Sequence, residues 1–180
     1  MKKLTYSILV GAVAASSALA GDHVVSGGKA VKDVVAPAPI PCFRDQEFQL
    51  DVFGTYTNSL RNLQYQDGFG GGIGVNYFFC RNFGVGVDGS VYDGDVNGVW
   101  NTTGSIIARF PIENGICIAP YIYGGGGVRT DGQLNATAHA GGGLEWRVNP
   151  NFGIFSDVRY TWAEHNQDHL QTRVGVRFPF

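Results

Sequence analysis

From Glu47 to the last residue, Phe180, apolar and polar side chains alternate one by one, broken only by short turn-forming segments. A period of two places one set of side chains on each face of a β-strand. In the first run Phe48, Leu50, Val52 and Tyr56 oppose Gln49, Asp51, Thr55 and Thr57. The second sets Phe69, Ile73, Val75, Tyr77 and Phe79 against Gly70, Gly72, Gly74 and Asn76, and the third sets Phe83, Val85, Val87 and Val91 against Gly84, Gly86, Asp88 and Ser90. In the fourth, Trp100, Ile106, Ala108 and Phe110 face away from Asn101, Thr103, Ser105 and Arg109. The sixth, seventh and eighth repeat the pattern, ending with Val174, Val176, Phe178 and Phe180 against Gln171, Arg173 and Arg177. The fifth, near Ile116 to Val128, is apolar on both faces, so its facing stays open. No helical period competes with this reading.

Turn signals separate the runs. Cys80-Arg81-Asn82, Pro111 to Gly115 and Val148 to Asn151 are tight connections after the even strands. Longer polar connections are expected at 58–66, 93–98, 129–135 and 164–169. Each strand with its turn takes about 17 residues, which suits membrane-crossing strands of about 9–11 residues. The fold class is therefore all-β, an eight-stranded antiparallel up-and-down barrel.

Alternation alone fits a soluble barrel with an apolar interior and a membrane barrel with an apolar exterior. Charge and residue size decide. One face collects Asp51, Asp88, Arg109, Glu145, Arg147, Asp157, Arg159, Arg173 and Arg177, together with many glycines that fit a narrow lumen. A single Arg or Lys facing mid-bilayer lipid costs about 2–4 kcal/mol, so these residues are expected inside, with lipid outside. Trp100, Trp146, Trp162, Tyr77, Phe79, Phe110 and Phe180 gather near strand ends, where interfacial aromatic girdles belong. After Lys32 there is no lysine at all, whereas a water-facing surface normally carries many. Hydrocarbon cannot satisfy an open sheet edge, so strand eight must pair with strand one.

The segment before Glu47 serves other ends. Lys2 and Lys3, the apolar run Leu4 to Ala15, and Ala18-Leu19-Ala20 predict a secretory leader over 1–20, with the mature chain starting at Gly21. Residues 21–46, with Ser26-Gly27-Gly28 and Pro37-Ala38-Pro39-Ile40-Pro41, are expected to form a disordered periplasmic extension. The alternative is a segment that plugs or staples the barrel mouth. Net charge is −2, so no general attraction to nucleic acid is expected.

A leader, Gly-rich alternating strands and the ending Arg177-Phe178-Pro179-Phe180 resemble the small outer-membrane β-barrel families of OmpA-domain and OmpX type, over 47–180. The resemblance implies location in the outer membrane among its lipids and lipopolysaccharide. It also implies that Phe180 is read by the barrel-assembly machinery. A monomer is expected, with no cofactor.

The inward charges are the first candidate site. Asp51, Asp88, Arg109, Glu145, Asp157, Arg159 and Arg173 are read as an ion-pair network filling the lumen, because buried charges need partners; a conductive path is the alternative. His139 lies on the same face. His165 and His169, with Glu164 and Asp168, could ligate a metal, but solvated loop residues are the favoured reading. Lipid A-modifying barrels use His with Ser and an acid. No serine neighbours His139 on its own strand, and Ser90 and Ser156 lack partners in register, so no acyl-transfer site can be assembled. The chain is read as not an enzyme. Gly124 to Gly127 lacks the Lys-Ser/Thr and helix of a phosphate loop. Three cysteines permit one disulfide in three possible pairings; Cys42 and Cys80, both expected at the periplasmic rim, are the favoured pair, with Cys117 free or paired otherwise.

Overall fold

A computed structural model describes residues 41–59, 68–93, 99–130, 134–163 and 168–180. The expected leader, most of the extension, and the loop residues Glu164 and His165 lie outside the described residues. Eight strands form one closed antiparallel barrel in sequence order: β1 Glu47–Ser59, β2 Gly68–Phe78, β3 Phe83–Tyr92, β4 Val99–Arg109, β5 Ile118–Thr130, β6 Leu134–Asn149, β7 Phe152–Ala163 and β8 His169–Pro179. Closure is made by β1 and β8, with Leu50 opposite Phe178 and Asp51 opposite Arg177. The backbone N–H of Phe180 donates to the Phe48 carbonyl at 2.8 Å, so the last residue belongs to the seam while its ring faces outward. Pro179, which has no N–H to give, sits at the end of the ladder, where its loss is tolerated.

The faces follow the alternation. Phe48, Ile73, Val87, Ile106, Ile122, Leu144, Val158 and Val174, one from each strand, are exposed on the outer wall. Every Asp, Glu and Arg within the described strands turns inward. A contiguous apolar belt of this extent is unfavourable in water and matches hydrocarbon. The structure also phases β5. Tyr121 and Tyr123 point inward and Ile122 and Val128 outward. The sequence reads apolar on both faces because a tyrosine ring is apolar, while its hydroxyl can satisfy a polar interior.

Three expected loops are shorter than the sequence suggested, the first because Asn58 and Ser59 continue β1 opposite Leu170 and His169. Arg129 pairs with Asn135 and Thr130 with Leu134, so these residues extend the β5–β6 hairpin. His169 opens β8 opposite Thr161, so it belongs to a strand. Local polarity marked these positions as loop, but the side chains of Arg129, Asn135 and His169 point into the lumen, which a membrane barrel permits.

Large inward rings are seated over inward glycines of neighbouring strands. A Cβ added at Gly141 would lie 2.6 Å from Cζ and the hydroxyl oxygen of Tyr123, and one at Gly84 would lie 2.9 Å from Cγ of Phe78. The glycines thus make room for the rings. Gly141→Val is expected to destabilise the barrel by about 1–3 kcal/mol through overpacking, seen as a lower urea midpoint in heat-modifiable gel migration.

The expected Cys42–Cys80 bond is not the one formed. Cys42 is bonded to Cys117, with their Cα atoms 5.9 Å apart, and Cys80 is the free thiol. The sequence favours Cys80 because it ends the strand next to the one that Cys42 precedes, at the same rim. Instead residues 42–46 cross the barrel mouth. Phe43 is 1% exposed, and its N–H donates to Glu113 Oε1 at 3.1 Å. Asp45 Oδ1 accepts from the Arg81 N–H at 2.5 Å. Gln46 then takes a φ of 51°, uncommon for a residue with a side chain, and the chain turns into β1. Crossing the mouth carries Cys42 to the β4–β5 connection, where Cys117 waits.

Candidate functional site in the barrel lumen

Strand alternation sends five carboxylates and six arginines of the described strands into a space too narrow to hydrate them individually, so buried charges must find partners. Arg129 lies apart, 5.8 Å from the Tyr92 ring; the other ten form two chains of alternating sign. The first begins at the strap end: Arg109 and Arg147 bind Glu47 at 2.8 and 2.7 Å, and Arg147 also reaches Glu145. Glu145 then binds Arg177 at 2.6 Å, and Arg177 grips Asp51 with Nε and Nη2, both at 2.7 Å. The two-point contact gives this pair directional strength as well as charge. Gln49 donates to Glu47 at 2.6 Å and Asn76 to Asp51 at 2.8 Å, using further lone pairs.

The second chain crosses the middle of the barrel. Arg159 binds Asp88 through Nη1 and Nη2 at 3.0 and 2.5 Å, and Arg173 spans from Asp88 at 3.3 Å to Asp157 at 2.7 Å. Asp157 also accepts the hydroxyls of Tyr121 and Tyr123, at 2.7 and 2.9 Å. Next to this chain lies a cavity of about 20 Å³ whose lining includes Asp51, Asn76, Asp88 and Arg173. A water needs about 10–15 Å³, so this is space for a water or two and no path for a hydrated ion.

All seven residues expected in the network lie in these two chains. Arg147 and Arg177, read on the polar face but not singled out, are equal members. Glu47 was missed. Its parity with Gln49 and Asp51 was the available signal, obscured because it stands where the alternation begins. The two tyrosines were missed for the reason given for β5.

The strap caps the first chain. Phe43 lies 5.0 Å from the Arg109 guanidinium and 4.8 Å from that of Arg147, and the Phe78 ring is 3.8 Å below Arg109. Cations over aromatic faces gain more when water is excluded. The strap carbonyls take the remaining donors: Arg44 O accepts from Arg109 Nη2 at 3.1 Å, and Cys42 O from Arg147 Nη1 at 3.2 Å.

The histidines fall elsewhere than expected. His139 does have a serine neighbour, two strands away. Ser105 Oγ and His139 Nε2 are 2.8 Å apart, and Gly125, in register with both, leaves the gap that lets them touch. Sequence spacing could not bring them together because they lie 34 residues apart. His139 Nδ1 has no protein hydrogen-bond partner, so no acid orients the ring as a nucleophile–base site requires. Ser90 is buried, and Ser156 faces outward. His169 and Asp168 are buried at the strand ends, Asp168 accepting from the Tyr160 hydroxyl at 3.1 Å, contrary to their reading as solvated loop residues. Among the described residues, no three His, Cys, Asp or Glu side chains are placed to hold a metal ion.

Neither a protein-family model nor a curated protein sequence matches the chain. Solved structures do share its fold. The N-terminal β-barrel domain of Pseudomonas aeruginosa OprF aligns with a TM-score of 0.60 at 19% identity, over 76% of this chain and 99% of that one. Neisserial surface protein A aligns at 0.57 and 16% identity, over 74% and 97%. Ail, the attachment invasion locus protein of Yersinia pestis, aligns at 0.55 and 16% identity, over 76% and 99%. The chain therefore has the fold of the small eight-stranded outer-membrane barrels.

Proposed function

We propose that the protein is an integral outer-membrane barrel with a structural or surface-interaction role and a lumen closed to solute flow. The observation that carries this reading is the lumen itself. Ten charges are paired wall to wall, a cavity of about 20 Å³ lies among them, and Phe43 is packed over the strap-side end. A pore would need a continuous wet path, and these pairs occupy it. The apolar outer wall supports residence among outer-membrane lipids and lipopolysaccharide, with the strap at the periplasmic mouth. Phe180, hydrogen-bonded into the seam with an exposed ring, suits recognition by the barrel-assembly machinery.

The Ser105–His139 pair does not favour an enzyme. His139 is buried and Ser105 half-buried in the lumen, and among the described residues no carboxylate meets the second ring nitrogen. The name of Ail records attachment for that protein; for this chain it lends support to a surface-contact role and to nothing more specific.

Purified protein in planar bilayers is expected to show no steady ion current. Sustained single-channel conductance would overturn the closed lumen and favour a narrow pore. Lipid A from cells with and without the protein is expected to have the same mass spectrum; a shifted acyl composition would instead favour a lipid-modifying enzyme.

A further inference from the structure

The strap carries one cation more than the charge chain beneath it uses. That chain sets Glu47, Glu145 and Asp51 against Arg109, Arg147 and Arg177, and it is neutral as it stands. Arg44 is outside this balance. Its Nε stands 3.9 Å from Glu47 Oε2, on a carboxylate already held by two arginines, and its side chain is 33% exposed. Asp45, the next residue, turns to the Arg81 N–H, and the Arg81 guanidinium pairs with Glu113 at 3.0 Å. The backbone fixes where the surplus guanidinium starts from. The Arg44 N–H donates to Glu47 Oε2 at 3.3 Å, and its carbonyl accepts from Arg109 at 3.1 Å.

Arg44 borders a groove of about 750 Å³ at the strap-side rim. Its other walls are Asn149 at the end of β6, Pro150 and Asn151 of the turn that follows, Phe152 and Phe178. Among the described residues that line it, Arg44 is the only charge. Asn149 Oδ1 accepts the Asn151 N–H at 2.9 Å, so the NH₂ of that amide is the half left to donate. Phe152 and Phe178 share the outward parity of Ile154 and Val176, and their rings lie 5.7 Å apart. The groove thus has a cationic end on the strap and an apolar end on the outer wall.

This pairing restricts the ligand. A guanidinium at the edge of hydrocarbon is matched best by phosphate oxygens, which its planar fork meets at two points. Aromatic rings at the same depth pack against the first methylenes below a headgroup. A small free anion leaves the rings unused, and an uncharged lipid leaves the guanidinium unmatched. Built sites for small molecules hold about 300–1,000 Å³, so the groove has room for a glycerophosphate group and the start of its chains.

We propose that this groove binds an anionic phospholipid, with its phosphodiester on Arg44 and its upper acyl chain on Phe152 and Phe178. The site rests on the membrane reading above, which puts the lipid in the leaflet at the strap-side mouth.

Native mass spectrometry of the protein in dodecyl maltoside measures the retention. One phosphatidylglycerol is expected to bind about tenfold more tightly than diacylglycerol of the same chains, the factor that a hydrogen bond to a charged group supplies. Arg44→Gln should abolish that preference. Arg81→Gln, a rim cation outside the groove, should keep it. Heat-modifiable migration checks that each variant is folded. If Arg44→Gln is not, Arg44→Lys keeps the charge without the two-point contact and should lower the preference about threefold. Equal retention of the two lipids by the parent, or a preference unchanged in the Arg44 variant, would overturn the site. Inorganic phosphate retained as tightly as phosphatidylglycerol would reveal an anion site and overturn the lipid as occupant. Extraction of the protein without detergent would overturn the membrane reading itself, whereas a detergent-dependent barrel lacking the lipid preference overturns this site alone.

Discussion

Arg177→Met is expected to lower barrel stability by about 3–5 kcal/mol, the cost of leaving buried carboxylates without their cation. Among the described residues Arg177 alone joins Asp51 and Glu145, and it grips Asp51 directly across the β1–β8 seam. Removing it leaves Asp51 with the Asn76 amide and Glu145 with Arg147. Neither neighbour replaces a two-point guanidinium contact. The effect should appear as a lower urea midpoint in lipid vesicles, followed by heat-modifiable migration. Asp51→Asn combined with Arg177→Met should recover part of the loss, because one orphaned charge has gone. Additive losses would show that the two side chains do not interact, and would break the first charge chain at the seam.

Cys117→Ser should cost about 2–4 kcal/mol, since the bond it removes closes a loop between residues 75 apart. Two terms contribute: the unfolded chain gains freedom, and the strap loses its covalent anchor over Arg109 and Arg147. Cys80→Ser is expected to leave the midpoint within about 0.5 kcal/mol of the parent, as an ordinary surface change does. Folded, oxidised protein should present one thiol to maleimide, at Cys80, and two more after denaturation with reduction. Equal losses for Cys80→Ser and Cys42→Ser, with none for Cys117→Ser, would restore the pairing first expected from the sequence.

Much of the barrel was legible because alternation is a local property. Phe48, Leu50 and Val52 declare their face whatever the rest of the chain does, and so do Arg173 and Arg177. The ion-pair network was legible in kind but not in wiring. That Arg177 would meet both Asp51 and Glu145 depends on which strands close the seam and how far each is staggered around the barrel. Tyr121 and Tyr123 hid for another reason. An amphipathic ring satisfies either face, so only the position of Asp157 decides.

The strap and the disulfide were the least legible features. Residues 42–46 have no period, and proline and glycine nearby made the stretch read as tether. Its course is set by contacts with Arg81, Arg109, Glu113 and Arg147, which come from two turns and the ends of two strands. The Ser105–His139 contact likewise exists only because Gly125 intervenes without a side chain.

By itself, then, the sequence determined that this chain forms eight amphipathic strands with charge inside and apolar groups outside, because side-chain direction in a strand follows residue parity. Only the tertiary structure decided which charges pair, which cysteine Cys42 finds, and which serine reaches His139. Those outcomes depend on stagger and closure, and they join residues that no local period relates.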